Sequence, residues 1–594
     1  MKKFLLGLLS GFVLAGLALV IVAFALMRAG DRRSAVPEGS LLVMRLEGEI
    51  PEQAPVTIPL PMFESQSPAT VADLWSMLRQ AEKDGHIKAI LLEPRGLGAG
   101  WAKLDELRAG IRQFKKSGKP VYAYLRNPGA REYYLATAAD RIYFNPEDIL
   151  DLKGLRAELS FYRKTLDKLG VEMEIEHAGK YKNAADSYVR NEATPETREV
   201  IGAMLDQLFG HLVESIATAR KLAPERVKAL IDEGPFLDRA ALSAKLIDGL
   251  LYEDQVRDEI KKELKGQALE RLSHRDYLRS AAFGGGEQGN NKIALVVGEG
   301  AITRAAGDAD PFSNEEGIRS GPFMRLLRQV RDDASIKGVV LRVNSPGGDA
   351  IASDEILHEV KLLSKRKPLV ISMSDVAASG GYYIAMTGDP VVAYPNTITG
   401  SIGVIYGKVN LEGLYGKLGI NTEIIKRGKN ADFDTSAHPM SEAARKKLRE
   451  GIASTYQAFL ERVAEGRKRK VGDIEPLAQG RVWMGAQAKG NGLVDEMGGL
   501  DRAIELVREK AKIPAGERIQ LAPFPRKRTL FDQIFNSGDS SSALARLLRP
   551  DSGDAAAMQA ARLLTRELGL EGLDPAMWAR GGVFCLPPFS LRIR

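Results

Sequence analysis

The sequence predicts an α/β protein, two tandem repeats of mostly parallel strands and helices that follow one N-terminal transmembrane helix. Three observations predict it. The chain echoes itself at a nearly constant offset, each echo alternates short β-rich runs with helical ones, and the N-terminus opens on a long uncharged apolar run.

The bounds come first. At 594 residues the chain is long enough for two to four domains. Its 44% apolar and 27% charged content is that of a globular protein with an ordinary core. A net charge of +7 is small for this length. With no long basic face carrying interleaved aromatics, a nucleic-acid partner has no support. The single Cys585 excludes an intrachain disulfide, and the six histidines show no metal-ligand spacing. Neither a metal nor a cofactor is expected.

Lys2 and Lys3 precede an apolar run over residues 4–27, which Arg28, Asp31, Arg32 and Arg33 follow. That run is long enough to span a bilayer as a helix. Ala23-Phe24-Ala25 offers a weak cleavage site, but the length favours an uncleaved signal anchor over residues 1–33. Basic residues flank both ends, so charge alone does not orient it. A single-pass protein with one large soluble part is expected.

The soluble part is an internal repeat. His86-Ile-Lys-Ala-Ile-Leu-Leu92 matches Ser335-Ile-Lys-Gly-Val-Val-Leu341, and Tyr133-Tyr-Leu-Ala136 matches Tyr382-Tyr-Ile-Ala385, both 249 positions on. Asp140 and Asp389, Pro146 and Pro395, Gly154 and Gly403, and Gly179 and Gly428 keep the same offset. An ordered series of this kind does not arise by chance. The first repeat is expected over residues 40–264 and the second over 292–512. A linker of Gly, Gln and Asn lies between them at 283–291.

In the second repeat, residues 293–297, 338–343, 369–373, 391–393 and 422–425 read as strands. Residues 322–332, 353–364 and 381–386 read as helices, and 441–469 as a longer amphipathic one. The tail, 513–594, is less regular. Its Pro525-Arg-Lys-Arg528 cluster reads as a solvated basic turn.

One stretch carries chemistry. Ser379, in Ala377-Ala-Ser-Gly-Gly-Tyr-Tyr383, sits where a strand turns into a buried helix. Small neighbours let a substrate backbone approach, and a helix N-terminus offers N–H groups to an oxyanion. A helix-capping serine is the commoner use of such a position. A nucleophile also needs a base. His438 lies in a loop ahead of Pro439 and is a poor candidate for a triad. Lysine serves instead when burial lowers its pKa from ~10.4 toward ~7–8.

The repeats differ at the residues this chemistry needs. Lys182, in Gly179-Lys-Tyr-Lys182, corresponds to Ala431, while Ser379 corresponds to Ala130. Each half lacks what the other retains. Lys429 stands two residues from Ala431 as a competing base, and its first-repeat equivalent Lys180 reads as a solvated charge.

Val343-Asn-Ser-Pro-Gly-Gly348, Ala377 to Tyr383, Gly400-Ser-Ile-Gly-Val404, Gly480-Arg-Val and Leu493-Val-Asp495 together resemble the signal peptide peptidase A family. This is peptidase family S49, the membrane-anchored serine proteases, and the likeness is to its long, duplicated form over roughly residues 1–512. The resemblance implies tandem crotonase/Clp-protease-like repeats and a Ser–Lys dyad. It places the nucleophile on Ser379, the general base on Lys182 and a lysine-orienting serine on Ser401. The oxyanion donors fall on the backbone N–H groups of Gly348 and Gly380. It further implies apolar signal-peptide substrates, a homo-oligomeric tetramer-like ring, and a soluble part outside a bacterial cytoplasmic membrane. A crotonase-like acyl-transfer enzyme and a non-catalytic membrane scaffold are the alternatives.

Overall fold

The computed structural model describes residues 35–54, 68–265, 269–280, 291–305, 317–525, 582–585 and 592–593. The apolar run at 4–27, nearly all of the 283–291 linker and the basic residues 526–528 lie outside the described residues.

Two sheets repeat one strand order. The first runs Glu270–Ser273, Ser40–Gly48, Ile87–Leu97, Val121–Leu125, Arg141–Phe144, Gly249–Leu250, with every pairing parallel. In the second, Ile519–Phe524, Asn291–Glu299, Ile336–Ser345 and Leu369–Ala378 are likewise parallel. Leu369–Ala378 then pairs with Val391–Ala393 along its first half and with Ile398–Gly400 along its second. The central strands are continuous apolar runs such as Val339-Val340-Leu341, all fully buried. Helices on both faces of a parallel sheet demand that composition. The sheets reach residues 273 and 524, past the expected repeat ends at 264 and 512, because Glu270–Ser273 and Ile519–Phe524 add the same edge strand to each.

Helix starts follow local chemistry. The Thr70 hydroxyl accepts from Asp73 N–H while Asp73 accepts from Thr70 N–H, which closes a capping box on Val71–Lys83. Asp349 accepts from Ala352 N–H at 2.8 Å and opens Ala350–Ser364. Pro195–Arg220 and Glu442–Arg467 are equivalent 26-residue helices, capped by Thr194 and Ser441. Pro195–Arg220 is apolar and long enough to cross a membrane, but Val200, Met204, Leu208 and Leu212 bury one face of it in the core.

One expected strand is absent. Residues 422–425 are irregular and exposed, Ile425 to 82%. Their first-repeat counterpart, Glu172–Ala178, is a strand because it pairs antiparallel with Val404–Asn410 across the repeat boundary. Among the described residues 422–425 meet no such neighbour, and propensity without a partner does not make a ladder. The helix expected at 381–386 shrinks to Gly380–Tyr383 followed by turns.

Buried charge locks the repeats together. Arg342, on a central strand of the second repeat, donates to both Glu52 oxygens at 2.9 and 3.1 Å and to Glu106 at 3.1 Å. It also donates to Ser372 and Ser374. Glu52 and Glu106 belong to the first repeat. Burial acts against the Glu52 carboxylate, yet Arg342 and Lys103 hold it below the usual carboxylate range. Burial pushes Glu106 up to about 7 against the pull of Arg342. Close by, the second repeat's Asp375 accepts from Gly100 and Lys103 N–H at 3.1 and 2.9 Å. It thereby caps the first repeat's helix Trp101–Lys115, whose own N-cap residue is a glycine with no side chain to offer.

Two outcomes follow from that network. Arg342→Leu leaves two buried carboxylates without their cation and lowers unfolding free energy by about 3–5 kcal/mol in chemical denaturation. Glu106 keeps its proton to about pH 7 when folded and only to 4.5 by its ordinary value. The unfolded chain therefore loses that proton first, and this carboxyl's contribution to stability falls as pH rises from 4.5 to about 7. Denaturation midpoints measured across that window drop less steeply for Glu106→Gln than for the unaltered chain.

Candidate active site

Ser379 ends the strand Leu369–Ala378 and starts the one-turn helix Gly380–Tyr383, with φ 55° and ψ −116°. A non-glycine residue there is strained by roughly 1–3 kcal/mol and persists only where its surroundings hold it. Its N–H donates to Gly400 O at 2.8 Å, and its carbonyl accepts from Tyr383 N–H at 2.8 Å. The side chain does not cap its helix. Instead Ser379 Oγ accepts from Lys182 Nζ at 2.8 Å.

Lys182 comes from the other repeat. Its Nζ also donates to Ser401 O at 2.9 Å and Ser401 Oγ at 3.0 Å. Lys182, Ser379 and Ser401 are all fully buried. Ser401, at φ 52°, is fixed by its N–H donating to Arg481 O at 2.7 Å. Three polar side chains from two repeats thus converge away from solvent.

The delivery of Lys182 is traceable. The strand Glu172–Ala178 leads into its loop and is zipped to Val404–Asn410 over its whole length. Glu174 on that strand pairs with Lys408 and Arg445, and Glu176 with Arg445 and Arg449. Tyr181 N–H then donates to Gln479 O at 2.8 Å. Gly480 lies flat on the lysine backbone, where a Cβ would come within 2.6 Å of Lys182 N. Arg481 bridges Tyr181 Oη and Glu199 across the same boundary.

Gly348 and Gly380 form the other wall. At Gly348, φ is 154° and a Cβ would stand 2.0 Å from Ile302 O, so only glycine fits. A Cβ on Gly380 would stand 3.1 Å from Gly348 N, which places the two turns side by side. The remaining candidates lie elsewhere. Lys429 and Ala431 are exposed. His438 is half-buried against Asp432, at 3.2 Å. Ala130 opens the helix Ala130–Ala136 in the corresponding place of the first repeat. Among the described residues no cluster of three or more His, Cys, Asp or Glu could hold a metal ion.

Sequence reasoning missed Arg342, Gly480 and the Tyr181–Arg481–Glu199 bridge. A charged residue inside the apolar run 338–343 was the available signal for the first. Gly480-Arg-Val was legible as a motif, but its contact with Lys182 was not.

The model of peptidase family S49 matches residues 113–267 and 361–514, once in each repeat. The chain is 34% identical to the chloroplastic serine protease SPPA of Arabidopsis thaliana over 86% of this chain and 74% of that protein. It is 33% identical to Protease 4 of Haemophilus influenzae over 84% of each. Over 38% of this chain and 66% of the relative, it is 35% identical to a putative signal peptide peptidase SppA of Enterococcus faecium. Two S49 matches on two copies of one α/β sheet, with relatives of this length and identity, make the chain a member of peptidase family S49.

Proposed function

We propose that this peptidase is a membrane-anchored serine endopeptidase that cleaves apolar peptides, released signal peptides foremost, with a dyad of Ser379 and Lys182. The observation that carries the reading is the 2.8 Å contact between Lys182 Nζ and Ser379 Oγ, both fully buried. Full burial is the condition under which a lysine amine acts as a base near neutrality.

Neutral Lys182 takes the Ser379 proton as Oγ attacks the peptide carbonyl carbon. The tetrahedral oxygen receives the N–H groups of Gly348 and Gly380. Collapse breaks the C–N bond, and Lys182 returns the proton to the leaving amine. Water, deprotonated by the same amine, then attacks the acyl-enzyme and frees Ser379. Ser401 holds the amine on line through its hydroxyl and carbonyl. A relative named a putative signal peptide peptidase supports the substrate class, the apolar run 4–27 supports anchoring, and a catalytic part outside the cytoplasmic membrane follows from the family resemblance alone.

The active form is an oligomeric ring. Glu172–Ala178 of the first repeat pairs with Val404–Asn410 of the second within one chain. By the 249-residue offset the corresponding partners are residues 155–161 and 421–427. Among the described residues the latter pair with no strand; Ile424 and Ile425 within them, and Leu418 and Ile420 just before them, are exposed. Pairing them between chains reproduces the intrachain junction and buries that apolar edge.

With a fluorogenic peptide carrying apolar P1 and P3 residues, Ser379→Ala abolishes turnover and Lys182→Ala lowers kcat by about 10²–10⁴-fold. Ser401→Ala costs roughly 10- to 100-fold, one hydrogen bond to the amine, and Lys429→Ala is unaffected. Activity that survives Lys182→Ala, or an inert wild type across such peptides, contradicts the reading. In detergent, sedimentation shows the unaltered chain as a multimer and Ile425→Asp as a smaller species; a wild-type monomer contradicts the ring.

A further inference from the structure

The lysine loop is held on both sides of Lys182. Asn183 Nδ2 donates to Thr194 Oγ1 at 3.0 Å and to Thr197 Oγ1 at 2.8 Å. Both threonines stand at the start of the helix Pro195–Arg220, so this tie belongs wholly to the first repeat. Tyr181 makes the other tie. Its Oη donates to Glu199 Oε2 at 3.0 Å and accepts from Arg481 Nη1 at 3.1 Å. The same nitrogen donates to Glu199 Oε1 at 2.6 Å, which closes a triangle. Arg481 is its one corner from the second repeat. The guanidinium lies against two rings, 5.0 Å from the centre of Tyr181 and 4.5 Å from that of Trp483.

Arg481 reaches the serine side of the site through its backbone. Its carbonyl accepts from Ser401 N–H at 2.7 Å, and Ser401 Oγ in turn accepts from Lys182 Nζ. Just before it, Gly480 N–H donates to Ile402 O at 2.7 Å, and Gln479 O accepts from Tyr181 N–H at 2.8 Å. Residues 479–481 therefore grip the lysine loop and the Ser401 turn at once. The first repeat does not keep these residues. Trp483 and Phe236 correspond, since their partners Thr399 and Leu150 lie 249 positions apart. Two residues earlier, Arg481 corresponds to Gly234. Tyr181 corresponds to Asn430 by the 249-residue offset. Thr194 and Ser441 cap equivalent helices, so Glu199 corresponds to Lys446. All three corners change together, as Ser379 changes to Ala130 and Lys182 to Ala431. The triangle is kept where the dyad is kept.

We infer that Arg481 is a positioning residue for the dyad: its side chain ties the lysine loop to the second repeat, its carbonyl fixes Ser401, and one residue thereby sets the approach of Lys182 Nζ to Ser379 Oγ. This rests on the peptidase reading above. The side-chain hydrogen bonds of Arg481 go to Tyr181 and Glu199 and to neither reacting group, so its loss displaces the base without removing it. A displacement of about 1 Å slows a positioned reaction roughly 10²-fold, and the cost falls on kcat.

The test uses the full-length chain with Arg481→Ala, with Tyr181→Phe and with the two combined. Arg481→Ala lowers kcat on the fluorogenic peptide about 10- to 100-fold at unchanged KM. Tyr181→Phe keeps the ring and the Arg481–Glu199 pair but removes the hydroxyl that joins them to the lysine loop. It lowers kcat about 3- to 10-fold. The combined variant falls no further than Arg481→Ala alone, since both act through one tie. Because turnover tests both readings at once, the tie is also read without substrate. Hydrogen exchange by mass spectrometry follows fragments covering residues 179–183, where Tyr181 N–H meets Gln479 O, and 369–378, the strand before Ser379. Exchange at 179–183 rises in both single variants while 369–378 keeps its protection. That result upholds the tie even for an enzyme inert on the chosen substrates. Wild-type kcat in Arg481→Ala, a loss that falls on KM instead, additive losses in the combined variant, or unchanged exchange at 179–183 overturns the inference.

Discussion

One hydrogen bond sets the terms for this structure: an amine from the first repeat meets a hydroxyl of the second, 2.8 Å apart and out of water. Neither repeat can supply both groups, since Ala130 and Ala431 stand at the equivalent positions. Everything that docks the halves therefore bears on the site. The Glu172–Ala178 strand, its two carboxylates on Arg445 and Arg449, and the glycine contact at Gly480 each fix one degree of freedom of the lysine loop. A displacement of about 1 Å costs a positioned reaction roughly 10²-fold, so that redundancy matches the precision required.

The docking surface is polar where an apolar one would bind more strongly. Arg342 with Glu52 and Glu106 is fully buried, and replacing such a cluster by well-packed apolar residues is often neutral or stabilising. Its geometry offers register instead. Arg342 reaches both Glu52 oxygens, Glu106 and two serines from one strand position, and Asp375 caps a helix of the opposite repeat. Any slippage between the repeats would strand several charges at once. Two similar sheets have many near-equivalent ways to pack, and this network penalises the wrong ones.

The architecture was legible because the repeat is written twice, with matching stretches such as 86–92 and 335–341 recurring 249 positions on. The strands at 338–343 and 369–373 were readable as buried apolar runs. Ser379, Lys182 and Ser401 could be singled out, and the fold brings them together. What escaped depends on partners far along the chain. Residues 422–425 have the composition of a strand but no neighbouring strand among the described residues. Ile519–Phe524 hid in a tail without periodicity, since its strand state comes from Asn291–Glu299. Arg342 was not singled out, because its partner Glu52 lies 290 residues away. Local sequence reports propensity, and tertiary pairing decides which propensities are used.

The same geometry makes a sharp statement about where the two halves of the chemistry meet. Lys182 and Ser379 lie in contact within one chain, so the proposed dyad needs no second chain to supply either residue. Co-expressing a Ser379→Ala chain with a Lys182→Ala chain, purifying the mixed oligomer through two different tags and measuring peptide turnover tests this directly. An intrachain dyad predicts that the mixture stays as inactive as either variant alone. Recovery of a sizeable fraction of wild-type turnover would mean that the lysine serves a neighbouring chain's serine, and would contradict the account.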